Sequence, residues 1–206
     1  RAKMPDEPAA SPVQIGWEEV EWEGEPPPLR SGHSATRIGR NVLVFGGTEN
    51  NRPTDRVIEL TWAAASTQLS WRVLSFDGSS PSARVGHAAC AVGAGLWVFA
   101  GTNGRNLLRD VWVLRADDDG ALWQWQSVAC KGETPARRMG HSMVHLERAR
   151  ALLTFGGFVK GVAGGYSAGI MLLDLASATW SEPKLNVVGG GPAPAGRLGA
   201  AACALD

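Results

Sequence analysis

The sequence predicts an all-β protein built from repeated units, and three observations support this class. The tetrapeptides RSGH, RVGH and RMGH begin at Arg30, Arg84 and Arg138, so the same frame returns twice after 54 residues. A degenerate copy, RLGA, begins at Arg197, 59 residues further along the chain. Around each frame lie short apolar runs rich in Val, Leu, Phe and Trp, which favour strands, and no run has the spacing of an amphipathic helix.

Each repeat offers the same elements in the same order. A Trp stands 16 residues before each His, at positions 17, 71 and 125. After the His comes an apolar run ending in Gly (NVLVFGG, GLWVFAG, ALLTFGG), then a loop and a second run (VIEL, DVWVL, IMLLDL). Residues 42–45 and 96–99 are apolar at every position, which is typical of a strand buried on both faces. The repeat therefore predicts a four-stranded antiparallel sheet packed between two neighbours, like a β-propeller blade.

The order Arg-x-Gly-His, strand, apolar run, Gly-Gly, strand and Trp resembles the kelch repeat, whose period is about 50 residues. The resemblance extends over residues 17–205 and implies a kelch-type β-propeller. The double glycine of that repeat is matched at positions 46–47 and 156–157. Ala100 replaces the first glycine of the second pair, and we expect it to be tolerated if this position keeps its φ below zero. Ala200 stands where the fourth frame would have its His.

The repeat frames also predict the domain organisation. Residues 1–16 form an N-terminal extension or linker, and residues 17–206 form the propeller segment. Complete blades cover roughly 29–76, 83–130 and 137–184. Flanking strands at 17–22 and 197–205 would be the last and first strands of two further blades. Propellers have about 4–8 blades, so we expect an incomplete ring that belongs to a longer protein with about three more blades. A second chain covering the open faces is the alternative.

Composition indicates which partners and which cellular compartment to expect. The chain has 206 residues, is 44% hydrophobic and has a formal net charge of zero. A general nucleic-acid binder needs a basic face, and a membrane span needs about 20 apolar residues, so we expect neither. Three cysteines make no disulfide framework. Cys90, Cys130 and Cys203 are expected as buried thiols, which indicates a reducing compartment and an intracellular, cytoplasmic location.

The recurring histidines pose the choice between chemistry and structure. His33, His87 and His141 would lie in three different blades, and no carboxylate recurs with them, so a shared metal site is not expected. We expect each to bond backbone in the turn that enters its blade, since repetition is typical of structural positions. The other expected structural positions of the repeat are Gly46, Gly47, Gly101, Gly156, Gly157, Trp71, Trp125 and Trp180.

The recurring arginines leave two interpretations open. Arg30, Arg84, Arg138 and Arg197 each precede a Gly by two residues. The kelch resemblance implies that residues near this turn can face the mouth of the central channel. A ring of Arg there would suit an acidic peptide or a carboxylate, through bidentate pairing. The alternative is that each Arg bonds carbonyl groups of the adjacent blade.

The loops after the glycine pairs are the remaining candidate site. They differ between repeats, and variable loops on a rigid scaffold are where recognition usually occurs. The alternative is a set of solvated turns. The candidate partner-binding residues in these loops are Asn51, Arg52, Asn103, Arg105, Phe158, Lys160 and Tyr166.

These patterns predict a protein–protein interaction or scaffolding module within a larger protein or assembly. No nucleophile or phosphate-loop motif is present, so we predict no catalytic residue, cofactor or metal. The alternative is a kelch-type enzyme, or a regulatory propeller fused to a catalytic domain such as a phosphatase. Kelch-type enzymes need Tyr, His and Cys or carboxylates that converge at the channel, and Tyr166 is the sole Tyr in this sequence.

Overall fold

The computed structural model describes residue 16 and residues 19–62, 68–117, 122–184 and 192–204, and these fold into a row of three packed sheets. The strands of the first sheet region follow the first repeat frame. They are β1 (Glu21–Trp22), β2 (Ser34–Ile38), β3 (Asn41–Phe45), β4 (Thr48–Glu49), β5 (Arg52–Pro53), β6 (Val57–Trp62) and β7 (Gln68–Leu74). The sheet order is β1-β7-β6-β3-β2, while β4 and β5 pair as a separate hairpin.

The second and third sheets repeat this meander. The second sheet contains β8 (Ala88–Val92), β9 (Gly95–Phe99), β10 (Val111–Ala116) and β11 (Trp123–Val128), in the order β11-β10-β9-β8. The third region contains β12 (Lys131–Gly132), β13 (Arg138–Met139), β14 (Ser142–Leu146), β15 (Ala151–Phe155), β16 (Phe158–Val159), a 3₁₀ turn (Ala163–Gly165), β17 (Ile170–Asp174) and β18 (Thr179–Ser181). Its sheet order is β12-β18-β17-β15-β14, and β13 pairs with β16.

The pattern of apolar and polar residues along each strand explains which strands are buried between the sheets. All five residues of β9 are buried, because the second sheet has a neighbour on each face. In β11, Trp123 and Trp125 are buried while Gln124 and Gln126 are exposed, as the two-residue period of a strand requires. The prediction of an all-β, propeller-type array whose sheets do not close into a ring is therefore confirmed.

Two apolar cores join the three sheets through the same aromatic contact. Phe45 of the first sheet lies 5.0 Å, between ring centroids, from both His87 and Trp125 of the second. Phe99 of the second sheet lies 5.1 Å from His141 and 5.0 Å from Trp180 of the third. Aromatic pairs at such distances add to the stabilisation from burial. The first and second sheets thus each insert one Phe between the His and the Trp of the next sheet.

Backbone hydrogen bonds tie the same interfaces closely. The amides of Gly47, Gly101 and Gly157 donate to the carbonyl oxygens of Arg84, Arg138 and Arg197, at 2.9, 2.9 and 2.8 Å. Gly46 and Gly156, which precede Gly47 and Gly157, lie against the carbonyl oxygens of Arg84 and Arg197. A Cβ on Gly46 would lie 2.7 Å from the Arg84 oxygen, so this position requires glycine for close approach as well as for its φ of 64°.

The structure corrects the expectation for Ala100. Its φ is 56°, in the left-handed region, whereas we expected a negative value. The reason is that its amide donates to the Asp110 carbonyl while the next amide donates to the Arg138 carbonyl. Both bonds fix the backbone in the conformation that glycine adopts at the equivalent positions 46 and 156. The second repeat therefore carries a strained alanine.

The expected flanking strands also differ from the structure. In the 17–22 region, Trp17 lies outside the described residues, and Glu21–Trp22 runs parallel to β7 as the outer strand of the first sheet. The described part of this segment pairs with the sheet that follows it in the chain. Between residues 197 and 204 no strand forms, since the described residues hold no partner strand for it. Cys203 is exposed there, whereas Cys90 and Cys130 are partly buried.

Ala100 provides a direct test of the backbone constraint. We expect Ala100→Gly to raise the free energy of unfolding by about 0.5–1 kcal/mol, since removing left-handed strain outweighs the added entropy of the unfolded chain. We expect Gly46→Ala, the matched change at the equivalent position, to lower it by about 1–3 kcal/mol through its clash with Arg84. Urea unfolding followed by Trp fluorescence measures both. A destabilised Ala100→Gly variant would contradict this assignment of strain.

The buried histidines predict a loss of stability in mild acid. Burial lowers the pKa of His87 and of His141 to about 3, and the nearby Arg84 and Arg138 charges add to the effect. In the unfolded chain a histidine has a pKa of about 6.5, so below that pH the unfolded state binds more protons. Stability should therefore fall as the pH drops from about 6.5 towards 3. Each histidine contributes about 2 kcal/mol of that loss at pH 5.

The measurement is urea unfolding at pH 7 and at pH 5. His87→Gln should weaken the pH dependence, even if the variant is less stable at both pH values. His33→Gln is the matched control, because His33 is exposed at the equivalent position and its replacement should leave the dependence largely intact. An unchanged pH dependence in His87→Gln would contradict the assignment.

Candidate partner-binding groove between the second and third sheets

The repeated arginines hold each turn to its own sheet. Arg84 is fully buried, and its guanidinium donates to the carbonyl oxygens of Ser82 and Ala100, both at 3.0 Å. It also forms a bidentate pair with Asp110, with Nη1 to Oδ1 at 2.9 Å and Nη2 to Oδ2 at 2.8 Å. Ala100 and Asp110 belong to the same sheet region as Arg84. The turn is therefore fastened to the end of the second strand of its own sheet.

Arg30 and Arg138 follow this pattern, and Arg197 departs from it. Arg30 donates to the Gly46 carbonyl at 3.2 Å and pairs with Glu49 at 3.3 Å. Arg138 is 4% exposed and donates to the Gly156 carbonyl at 2.9 Å, and within the described residues it has no carboxylate partner. Arg197 is exposed, and its guanidinium lies 5.9 Å from the centroid of the Phe155 ring.

These contacts correct both interpretations of the arginines. Arg84 and Arg138 are too buried to form an exposed ring for a ligand, because their guanidinium groups are used inside the fold. Nor do the side chains of Arg30, Arg84 and Arg138 bond carbonyls of the adjacent sheet, since each donates to a carbonyl of its own sheet region. The contact with the adjacent sheet is made by the backbone carbonyl of the arginine.

The charge of Arg84 also sets the ionisation of its partner. Burial opposes the charged form of Asp110, but the hydrogen bonds and positive charge of Arg84 outweigh it, so the pKa of Asp110 lies below its ordinary value. Burial lowers the pKa of Arg138, which has no such partner among the described residues. The Arg84–Asp110 pair is therefore a charged, structural unit.

The histidines differ in part from their expected role. His87 bonds the Ser34 hydroxyl of the preceding sheet at 2.8 Å and packs on Phe45, instead of bonding backbone in its own turn. His141 packs on Phe99, while His33 is exposed. Over the described ranges, no three His, Cys, Asp or Glu side chains come together in a way that could hold a metal ion. Trp71 is half-buried and donates to the Glu25 carbonyl, whereas Trp125 and Trp180 are buried.

In the loop of the first repeat, a carboxylate largely neutralises the positive charges. Glu49 pairs with both Arg30 and Arg56, at 3.3 and 2.9 Å. Asn51 stands at the tip of the β4–β5 hairpin with a φ of 61°, which suits a tight two-residue turn. Arg52 is exposed beside a shallow cavity of about 440 Å³ that Glu49 also lines. This loop therefore combines cations with a carboxylate.

The loops of the second and third repeats meet in a groove of a different character. Asn103 shapes the second loop, because its side-chain oxygen accepts hydrogen bonds from the amides of Arg105 and Asn106. Arg105 then faces the third loop across a cavity of about 630 Å³, which we call the inter-loop groove. Its lining residues are Arg105, Asn106, Leu107, Arg109, Ala136, Arg137, Phe158, Val159 and Lys160.

The inter-loop groove is strongly basic. Four of its lining side chains are cations, those of Arg105, Arg109, Arg137 and Lys160, and none is a carboxylate. No ion pair involving these four is formed with any residue that the structure describes. The groove thus presents four positive charges that pair with no carboxylate among the described residues, although the formal net charge of the chain is zero.

Sequence reasoning found half of these cations. Arg105, Lys160 and the aromatic Phe158 were predicted as partner-binding residues and lie together in the groove. Tyr166 is 49% exposed and forms a backbone bridge with Phe158, but it does not line the groove. Arg109 and Arg137 were missed. Their signal is a cation at a position that has no cation in the other repeats: Leu29 and Ala83 occupy the position of Arg137.

Comparison with known proteins identifies the repeat. Residues 11–124, more than half of the chain, match the KLHDC2/KLHL20/DRC7 Kelch-repeats domain. The chain belongs to the kelch-repeat family. The order of turn arginine, glycine pair and Trp described above is thus the kelch repeat as this chain builds it.

Similar proteins carry kelch repeats within much longer chains. This kelch chain is 32% identical to Adagio protein 3 of Arabidopsis thaliana over 190 residues, 90% of this chain and 28% of that protein. It is 28% identical to human Kelch domain-containing protein 10 over 172 residues, 78% of this chain and 37% of that protein. It is 29% identical to the flagellar outer arm dynein alpha chain of Chlamydomonas reinhardtii over 135 residues, 65% of this chain and 3% of that protein.

The kelch chain therefore spans well under half the length of these relatives. Kelch repeats are generally protein-binding modules. Within the described ranges no helix has the length and apolar character that crossing a membrane requires.

The Arg84–Asp110 pair predicts a stability effect. Asp110→Asn should lower the free energy of unfolding by about 2 kcal/mol, because a fully buried guanidinium loses its counter-charge. Asp55→Asn is the control, since Asp55 is exposed on the equivalent loop of the first repeat, and it should change stability by less than about 0.5 kcal/mol. Urea unfolding measures both. Equal stability of the two variants would show that carbonyl groups alone hold Arg84.

Proposed function

We propose that this chain is a protein-interaction module that holds an acidic segment of a partner protein in the inter-loop groove. The observation that carries the proposal is the set of four cations without a carboxylate among the lining residues. A groove of one charge attracts a ligand of the opposite charge and concentrates it at the surface. Arg side chains also match carboxylate geometry through paired hydrogen bonds.

The contrast with the first loop supports this choice of site. There Glu49 already occupies Arg30 and Arg56, so an incoming carboxylate would meet a carboxylate. Between the second and third sheets the cations are free to pair with a ligand. The turn arginines are excluded from the proposal where they are buried, so the binding surface shifts from the expected channel mouth to the loops.

The proposal extends to the wider role of the chain. It treats residues 17–206 as a propeller segment with blades near 29–76, 83–130 and 137–184, working as a scaffold in an intracellular assembly. The kelch family and the similarity to a protein named as a flagellar outer arm dynein chain support an assembly role. No observation favours a catalytic function over this one.

A peptide-binding experiment tests the charge complementarity. The probe is a fluorescein-labelled peptide of alternating Glu and Gly with six carboxylates, and the readout is fluorescence anisotropy. The Arg105→Glu/Lys160→Glu double variant should bind at least tenfold more weakly, because two favourable charge pairs become repulsive. Raising the salt from about 50 to 500 mM should also weaken binding to the unmodified chain, since exposed charges are screened.

The matched control keeps the same change in net charge at a distant place. Arg40→Glu/Arg148→Glu alters two exposed cations in the β2–β3 and β14–β15 turns, at the opposite end of the sheets from the loops. This variant should bind within about twofold of the unmodified chain. If the two double variants weaken binding equally, the effect is one of net charge and the inter-loop groove is not the site.

A further inference from the structure

We infer that the inter-loop groove selects a bulky apolar side chain with acidic residues on both sides of it, presented by an extended segment of the partner. The inference rests on the proposed function and names the chemistry of the partner. It comes from the apolar residues of the groove lining, which attraction between charges does not account for. Leu107, Phe158, Val159 and Ala136 make up an apolar surface among the four cations.

The apolar surface is fixed in place by the fold. Phe158 and Val159 form β16, which pairs with Arg138–Met139 of β13, and Phe158 also bridges to Tyr166. On the other wall, the Leu107 carbonyl accepts a hydrogen bond from Arg137 Nη1 at 3.1 Å, which links the second loop to the third sheet. Both walls are therefore held before a ligand arrives, so little ordering is needed on binding.

The cations fall into two groups along the groove. Arg109 and Arg137 also line a neighbouring cavity of about 340 Å³, so they stand at the boundary between the two. Arg105 and Lys160 line the inter-loop groove and not that neighbouring cavity. The apolar residues share the lining of the groove with both groups. A segment that places an apolar side chain on it can therefore offer one carboxylate to each pair of cations.

The volume of the inter-loop groove agrees with a ligand that places an apolar side chain in it. At about 630 Å³ it lies within the range of sites that enclose a substantial ligand. A purely acidic segment would leave the surface of Leu107 and Phe158 in contact with water. An apolar side chain there would remove that surface from water, and such burial favours binding in proportion to its area. We expect the apolar residue to raise affinity at least tenfold.

Three labelled peptides separate the contributions. All are extended nonapeptides: one with a central Phe flanked on each side by two Glu, one with Gly in place of the Phe, and one with Gln in place of every Glu. Fluorescence anisotropy with the unmodified chain should show the Phe-centred acidic peptide binding at least tenfold more tightly than the Gly-centred one. The neutral Phe-centred peptide should bind the most weakly.

Two variants test whether the preference for the Phe-centred peptide depends on the inter-loop groove. Phe158→Ala and Leu107→Ala should each reduce the advantage of Phe over Gly to less than about threefold, with the affinity for the Gly-centred peptide unchanged. Tyr166→Ala is the control, because Tyr166 is an exposed aromatic on the same loop that does not line the groove, and it should keep the full preference. If Phe158→Ala fails to fold, Leu107→Ala and the comparison of peptides on the unmodified chain carry the test.

The outcomes distinguish this inference from the proposed function. Equal affinity for the Phe- and Gly-centred acidic peptides would overturn the apolar preference and leave an acid-binding groove. Equal affinity for the acidic and neutral Phe-centred peptides would overturn the proposed function itself. A tenfold preference that survives Leu107→Ala and Phe158→Ala would place the apolar contact elsewhere and also overturn the inference.

Discussion

The whole array depends on one close approach, in which the backbone of a glycine pair passes the backbone carbonyl of the next turn arginine. Gly47, Gly101 and Gly157 make this hydrogen bond at each successive turn. The preceding residue of the pair offers its own carbonyl to the arginine side chain of its own sheet, as Gly46 does to Arg30 and Gly156 does to Arg138. One short stretch of backbone thus joins a sheet both to its own turn and to its neighbour.

This double attachment explains why an arginine recurs in a fixed frame with a histidine: both contribute to the contacts that join the sheets. The arginine is buried because its donors are needed at the end of the second strand. Its charge is then balanced locally where a carboxylate exists, as with Asp110 and Glu49. The histidine stands three residues later, and His87 and His141 are buried against the Phe of the preceding sheet, where they stay uncharged because that place excludes water.

The fold was predictable from the sequence because the same repeat occurs three times in it. The 54-residue period, the fully apolar run of β9 and the alternation of Trp and Gln in β11 each follow from elementary strand geometry. The left-handed Ala100 was not predictable, since two backbone hydrogen bonds to distant residues impose it against its own preference. The sequence also could not show that residues 197–204 lack a strand, because a strand exists only with its partner.

The candidate site was predictable only in part, for a different physical reason. Arg105 and Lys160 were found because they stand in loops that differ between repeats. Arg109 and Arg137 were missed because one lies at the end of a loop and the other beside a repeated arginine. Only sheet packing brings these two positions to the same cavity. Similarly, the guanidinium of Arg84 gives no sign in the sequence that Asp110, 26 residues later, neutralises it.

The groove has its walls in two different repeats, and this bears on how such a surface can arise. Duplication of a single repeat would copy either the Arg105 wall or the Phe158 wall, but never the pair in contact. Inserting a unit between them would separate the walls and abolish the site while every blade remained intact. The inter-loop groove is therefore a property of the order of the repeats, and it needs two adjacent blades.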